Sequence, residues 1–119
     1  MEAKSNVIKD KSFDFAVRII NLYKFLAFQK NEFVLSKQLL KSGTSIGANI
    51  EEALGAQSTK EFISKLHISY REAKESLYWL KLLSKTEFIN EKEFISLSND
   101  CEEIIKIIVS IIKSSKQKI

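Results

Sequence analysis

The sequence predicts an all-α fold, an antiparallel up-down-up-down four-helix bundle, in a single domain of 119 residues. Three observations carry this. The chain has no proline and only three glycines, too little turn chemistry for a sandwich, a barrel or any other hairpin-rich fold. Apolar residues recur at three- and four-residue steps along four segments, the period of amphipathic helices. The links between segments are short, which makes sequential helices antiparallel neighbours. With 45% hydrophobic residues the chain holds enough apolar matter for one core, expected at about residues 12–115 of a domain spanning 1–119.

Phe15, Ala16, Ile19, Leu22, Tyr23 and Leu26 place the first helix at about Ser12 to Phe28, with an earlier turn through Val7 and Ile8 left open. Asp14 and Arg18, four residues apart, are positioned for a weak pair across one turn. After the polar interval Gln29-Lys30-Asn31-Glu32, a second helix is expected with Ser36 as N-cap. It should end at about Leu54, with Gly55 supplying the left-handed conformation that closes helices. Ser58-Thr59-Lys60-Glu61 is a capping box for a third helix reaching about Ser84. Asn90-Glu91-Lys92-Glu93 repeats that logic for a fourth, reaching about Ser115, after which Lys116 to Ile119 should fray. The expected core is Phe15, Ile19, Tyr23 and Leu26, then Leu39, Ile46, Ile50 and Ala53. The third helix adds Ile63, Leu66, Tyr70, Ala73, Leu77 and Leu80, and the fourth Phe94, Leu97, Cys101, Ile104, Ile105, Ile108 and Ile112.

The formal net charge is +4, unevenly spread. Residues 1–41 are net +4, residues 87–103 net −5, and the tail from 104 carries four lysines and no acid. Were the first and last helices neighbours, one side of the bundle would be basic; solvated lysines that aid solubility are the alternative. The single cysteine, Cys101, rules out an intramolecular disulfide and sits in an apolar stripe. The opening residues lack the apolar run and cleavage site of a secretory signal, and a cytoplasmic location is expected. The most apolar stretch, Ile104 to Ile112, is interrupted by Lys106 and Ser110 and falls short of the roughly 20 residues of a membrane span. No membrane partner is expected.

The inventory for catalysis is thin. His67 is the only histidine, so the usual His and Cys ligands of zinc cannot be gathered within one chain. Neither phosphate-binding glycine motif occurs, and no Glu-x-x-His pair of the kind used by di-iron bundles is present. The chain is expected to be no enzyme and to need no cofactor or metal.

Two helix faces depart from an ordinary solvated surface. In the second helix Gln38, Ser42, Ser45, Asn49 and Glu52 form one stripe at steps of four, three, four and three. Gly43, Gly47 and Ala48 lie beside it. Glycine within a helix costs about 1 kcal/mol against alanine, so close helix packing is the leading reading and a ligand or nucleic-acid contact surface the sharper one. Opposite the core stripe of the third helix lie Ile68, Trp79 and Leu82 among Glu61, Glu72 and Glu75. Apolar groups there predict a subunit interface, in which Glu72 or Glu75 would meet Arg18, Arg71 or Lys41 of another copy. The alternative is that Trp79 folds back on its own bundle near Tyr78.

The segment from Gln38 to Ala53, with Ser45-Ile46-Gly47-Ala48-Asn49-Ile50-Glu51-Glu52 at its centre, resembles the small bacterial four-helix-bundle proteins encoded in intervening sequences of large-subunit ribosomal RNA genes. The family pattern is Gln-Leu, a basic residue, then Ser-Ile-x-x-Asn-Ile-x-Glu, and Gln38, Ser42, Ser45, Ile46, Asn49, Ile50 and Glu52 fall within it. Lys60 to Leu66, Arg71 to Glu75 and Ser12 to Ala16 continue the likeness. The chain departs from it where the family commonly has Ala-Glu-Gly, here Glu51-Glu52-Ala53, and where lysine replaces a frequent arginine at Lys41; lysine lacks the planar bidentate contact of arginine. The resemblance implies a left-handed bundle, a homopentameric ring and no established enzymatic activity. A related accessory protein of diversity-generating retroelements is basic and works with nucleic acid.

The function expected is therefore a non-enzymatic homo-oligomer binding RNA or DNA, with Arg18, Lys24, Lys37 and Lys41 meeting phosphates. The competing expectation is a scaffold for a protein partner, its charge serving solubility alone.

Overall fold

The computed structural model describes residues 2–117, the side chain of Glu2 excepted. Lys118 and Ile119, part of the basic tail and of the expected fraying, lie outside the described residues. The chain forms α1 (Glu2–Gln29), α2 (Val34–Leu54), α3 (Thr59–Lys85) and α4 (Glu91–Lys116), with no strand among the described residues. Each helix packs on the next and α4 returns to α1. Ser12 lies by Gly47 and Ile19 by Gly43; Ser69 reaches Ile46 and Ser76 reaches Ser42; Lys4 reaches Ser110 and Arg18 reaches Asp100. In each pair of helices one number rises as the other falls, so the neighbours are antiparallel and the bundle is up-down-up-down. Its dimensions are 47 × 21 × 19 Å.

The helix ends show where local chemistry governs and where it does not. α1 starts ten residues before Ser12 because Ile8, buried at 1% exposure, extends the inward stripe by one more turn. Ser12 is no cap: it is buried in that stripe and donates to the Lys9 carbonyl at 3.1 Å. α1 closes at Asn31, whose φ of 54° is left-handed, and the Glu32 amide returns to the Leu26 carbonyl at 2.9 Å. α2 then starts at Val34, two residues before the Ser36 cap can act. The carboxylate of Glu32 takes the capping role, one oxygen accepting from the Val34 and Leu35 amides at 3.0 and 2.9 Å, the other from Ser36 at 2.7 Å. Gly55 ends α2 with φ −94° rather than left-handed, its amide shared between the Glu51 and Glu52 carbonyls.

Ser58 and Glu61 form the expected box: the Glu61 amide donates to Ser58 Oγ at 3.1 Å, and Glu61 Oε2 accepts from the Gln57 amide at 3.1 Å. α3 ends in a Schellman turn, in which the Phe88 amide reaches the Leu83 carbonyl and the Glu87 amide the Ser84 carbonyl. The left-handed residue is Glu87, φ 66°. Asn90 caps α4 by accepting from the Glu93 amide at 2.8 Å.

Sixteen of the expected core residues are buried, whereas Tyr23, Tyr70, Leu77, Phe94 and Ile105 are only half-buried. Their stripes were drawn one flank too wide, while Ile8, Leu22, Leu83, Ile89 and Ile111 complete the core instead. Small residues bring three helices close. A Cβ on Gly43 would come within 2.9 Å of both Cγ atoms of Ile19; one on Gly47 would meet Ser12 at an ordinary 3.4 Å. Across the other side of α2, Ser69 donates to the Ile46 carbonyl at 2.9 Å and the Ser76 and Ser42 hydroxyls meet at 2.9 Å. The geometry supports the packing reading at Gly43, whereas Gly47 has room for a methyl group.

Three substitutions bear on stability. Burial works to raise the Glu32 pKa, but the amides of Leu35, Ser36 and Val34 outweigh it and hold the carboxyl below its ordinary 4.5. Its contribution is therefore full above that value and lost as the pH falls through the depressed one. Glu32→Gln should cost about 1 kcal/mol at neutral pH, the gap from the native chain narrowing below pH 4.5 in urea titrations at several pH values. Gly43→Ala should be net destabilising by about 1 kcal/mol, because overpacking Ile19 costs about 1–3 kcal/mol and helix propensity returns only about 1 kcal/mol. Gly47→Ala should raise the urea midpoint, since it keeps that propensity gain without the clash.

Candidate functional site

The stripe of α2 is resolved into two kinds of group. Ser42 is buried against α3; Ser45 and Asn49 are half-buried and Gln38 and Glu52 exposed. Ser45 donates to the Lys41 carbonyl at 2.6 Å and Asn49 to the Ser45 carbonyl at 2.8 Å, each one turn back along its own helix. Glu52 takes an ion pair from Lys65 at 2.8 Å, which raises the Lys65 pKa. Ile46 and Ile50 are core residues at 0% and 1% exposure. Apart from Gln38, then, every polar member already has a partner within the chain.

The four candidate phosphate contacts do not form one patch. Arg18 reaches across to α4 and pairs with Asp100 at 2.6 Å rather than with Asp14. Lys11 pairs with Glu103 on the same seam. The neighbouring first and last helices therefore do not make a basic side: the basic α1 meets the acidic first half of α4. Lys37 and Lys41 are exposed, four residues apart on the outer face of α2. The register that sets Ile19 against Gly43 puts exposed Lys24 level with Lys37 on the adjoining helix. Among the described residues, Lys24, Lys37 and Lys41 are in no ion pair within the chain.

On α3, Ile68, Glu72, Trp79 and Leu82 are half-buried and Glu75 is exposed. Trp79 packs against the core of its own bundle, meets Tyr78 edge-on at 5.1 Å and donates from Nε1 to Glu75 at 2.9 Å. The larger uncovered apolar surface is on α1, where Phe13 is 67%, Val17 43%, Ile20 38% and Phe28 75% exposed. The sequence reading missed this face. Its signal was present as a second row at steps of four and three beside the Phe15–Ile19 row, and a wide apolar helix face does not say which flank is covered.

Beside that face, α1 and α4 form the loosest seam of the bundle. At the end where α1 stops and α4 starts it opens into a cleft of about 1150 Å³. Leu22, Phe25, Phe88, Ile89 and Phe94 supply the apolar part of its lining, and Arg18, Lys30, Lys81 and Lys85 line it together with Glu87, Glu91 and Glu93. No group of three or more His, Cys, Asp or Glu side chains able to hold a metal occurs among the described residues. No helix is long and apolar enough to cross a membrane.

Cys101 is buried, its thiol donating to the Ala73 carbonyl at 3.3 Å. Burial first, then the charges of Glu102 and Asp100, push its pKa up to about 12. Only the thiolate is an effective nucleophile, so the geometry gives Cys101 a packing role. A maleimide at pH 8 should leave the folded protein unlabelled over a period in which urea-unfolded chain is labelled in full, as read by mass spectrometry.

A search of curated proteins gives no match. Among solved structures, the crystal structure of a protein of unknown function from the S23 ribosomal protein family of Bacteroides thetaiotaomicron VPI-5482 is 59% identical, with a TM-score of 0.92 over 92% of this chain and 98% of that one. The family model for the 23S rRNA-intervening sequence protein matches residues 4–110, a span that takes in the serine-rich α2 motif and most of all four helices. On that match, the chain belongs to the 23S rRNA-intervening sequence protein family.

Proposed function

We propose that this family member acts without catalysis, as a homo-oligomer that presents a basic surface to RNA or DNA. The observation that carries this reading is the pair of exposed lysines, Lys37 and Lys41, on the outer face of α2, with Lys24 level beside them. Such side chains meet phosphates and position a nucleic acid without reading its sequence. Arg18 is a weaker contributor than its charge implies, because Asp100 already neutralises it. Assembly multiplies the effect: five copies, the number the family resemblance implies, carry +20 from the +4 of one chain. The names borne by the family and by its solved relative, one referring to 23S rRNA and the other to ribosomal proteins, support RNA as the first ligand to try.

The oligomer itself is supported by the exposed apolar side chains of α1, Phe13, Val17, Ile20 and Phe28, since apolar groups gathered on one exposed face mark a contact surface. The α3 stripe of Ile68, Glu72, Glu75, Trp79 and Leu82 is the second candidate interface, with less apolar surface to cover.

Binding of single- and double-stranded RNA should weaken steeply with salt, and replacing Lys37 and Lys41 together by alanine should weaken it on all sequences alike. The slope of log affinity against log salt should fall by roughly one for each lysine that meets a phosphate. Absence of binding at low salt to RNA and DNA alike, with a stoichiometric protein co-purifying, would favour the scaffold instead.

A further inference from the structure

Between Phe15 and Ile50 the chain carries Arg18, Lys24, Lys30, Lys37 and Lys41 against a single carboxylate, Glu32. That carboxylate is buried, its oxygens committed to the Val34, Leu35 and Ser36 amides. Arg18 is held by Asp100. The four lysines are in no ion pair among the described residues. The corner where α1 turns into α2 therefore presents cations with no exposed anion of its own. The same corner exposes aromatic rings: Phe28 at the end of α1 is 75% exposed and Phe33, before the first residue of α2, is 45% exposed. Each ring lies four residues from an exposed lysine, Phe28 from Lys24 and Phe33 from Lys37, the spacing that makes side chains neighbours on a helix. Exposed Gln29, Asn31 and Gln38 complete the corner, each an amide with donors and an acceptor. Gln38 is what remains of the α2 polar stripe once Ser42, Ser45, Asn49 and Glu52 have taken partners within the chain.

Rings, ammonium groups and amides in that mixture suit one class of ligand. Lysines follow a phosphate backbone, and an exposed ring is a platform on which an unpaired base stacks whatever its identity. We propose that the α1–α2 corner binds single-stranded nucleic acid, with Lys24, Lys37 and Lys41 on its phosphates and Phe28 and Phe33 each against an unpaired base. The proposal rests on the nucleic-acid reading above and narrows it from any basic contact to a strand with free bases. The main chain of the corner is held in advance: the Glu32 amide closes on the Leu26 carbonyl at 2.9 Å and Asn31 takes its left-handed φ of 54°. A platform ordered before the ligand arrives spends less of the binding energy on ordering itself. A lipid surface would also attract the lysines, but Gln29 and Asn31 lie between the two rings in the chain, and an amide carried into hydrocarbon loses its hydrogen bonds.

The test uses the full chain and fluorescence anisotropy of a short RNA strand, the DNA strand of the same sequence and the RNA duplex, with vesicles of phosphatidylcholine and phosphatidylglycerol as a further probe. The native chain should bind the single strands more tightly than the duplex, and the tighter of the two strands names the natural source. Phe28→Ala with Phe33→Ala should weaken single-strand binding about thirty-fold or more, at roughly five-fold or more for each lost stack. Duplex binding, the salt slope, helicity by circular dichroism and mass by sedimentation equilibrium should all stay at their native values, because both rings are exposed. Phe28→Trp with Phe33→Trp should keep the affinity, and its emission beyond that of Trp79 should be quenched by the single strands and not by the duplex. An alanine pair that binds single strands as the native chain does would overturn the proposal and leave the basic-surface reading standing. A loss of affinity that comes with a loss of mass would overturn it too, the rings then serving a contact between copies. Vesicle binding that the alanine pair loses while keeping its hold on the strands would make the corner a membrane contact instead. A native chain that binds none of the nucleic acids at low salt would overturn both readings together.

Discussion

The close approach of α2 to both its neighbours is the constraint on which the rest of the molecule depends. Gly43 lets Ile19 of α1 lie where a methyl group would otherwise stand, and Ser12 of α1 lies beside Gly47 one turn further on. On the opposite flank, Ser42 and Ser76 exchange a hydrogen bond and Ser69 reaches a main-chain carbonyl of α2. Short side chains with internal partners allow helix backbones to approach without stranding polar groups, which is the condition for burying hydroxyls at all. The helices on either side of α2 are thereby drawn in, while the seam between α1 and α4 is the least closely packed of the four.

What was legible in the sequence follows the range of the interactions. Ser58 with Glu61, and Asn90 with Glu93, cap as their spacing says because donor and acceptor lie within three residues of each other. Glu32 was not legible as a cap, since its carboxylate gathers amides from residues two, three and four ahead while a serine sits nearby to claim the role. The pairing of Arg18 with Asp100 bridges 82 residues, and a local rule assigned the arginine to Asp14. Gly43 was legible as a packing device, because a helix does not carry glycine without cause, but the same reasoning misjudged Gly47, where a Cβ would have ordinary room. The uncovered face of α1 was not legible, because periodicity locates a helix's apolar side but leaves its exact coverage to the neighbours. On α3 the stripe of Ile68, Trp79 and Leu82 left two readings open in the sequence, and Trp79 takes the second, packing against its own bundle beside Tyr78.

The electrostatics are arranged less for a single patch than for holding the ends together. α1 is rich in lysine, the first half of α4 is rich in carboxylates, and the ion pairs of Lys11 and Arg18 join them. Pairs at that degree of exposure add little to stability, but they remove their cations from the pool available to an outside anion. Lys37 and Lys41 on α2 are in no such pair. Cys101 is buried and held as a thiol.

The loose α1–α4 seam has a consequence for the order of events in folding. It joins the two ends of the sequence, so it carries the largest loop-closure cost, whereas α2 and α3 are separated by only four residues, 55–58, and share the tightest contact. Long-range contacts are rewarded only after that cost is met, so the α2–α3 hairpin forms the natural nucleus and α4 docks on α1 late. In the finished protein the same seam is the part that opens at lowest free energy, and the cleft is its resting gap: a surface that breathes where the chain closes on itself.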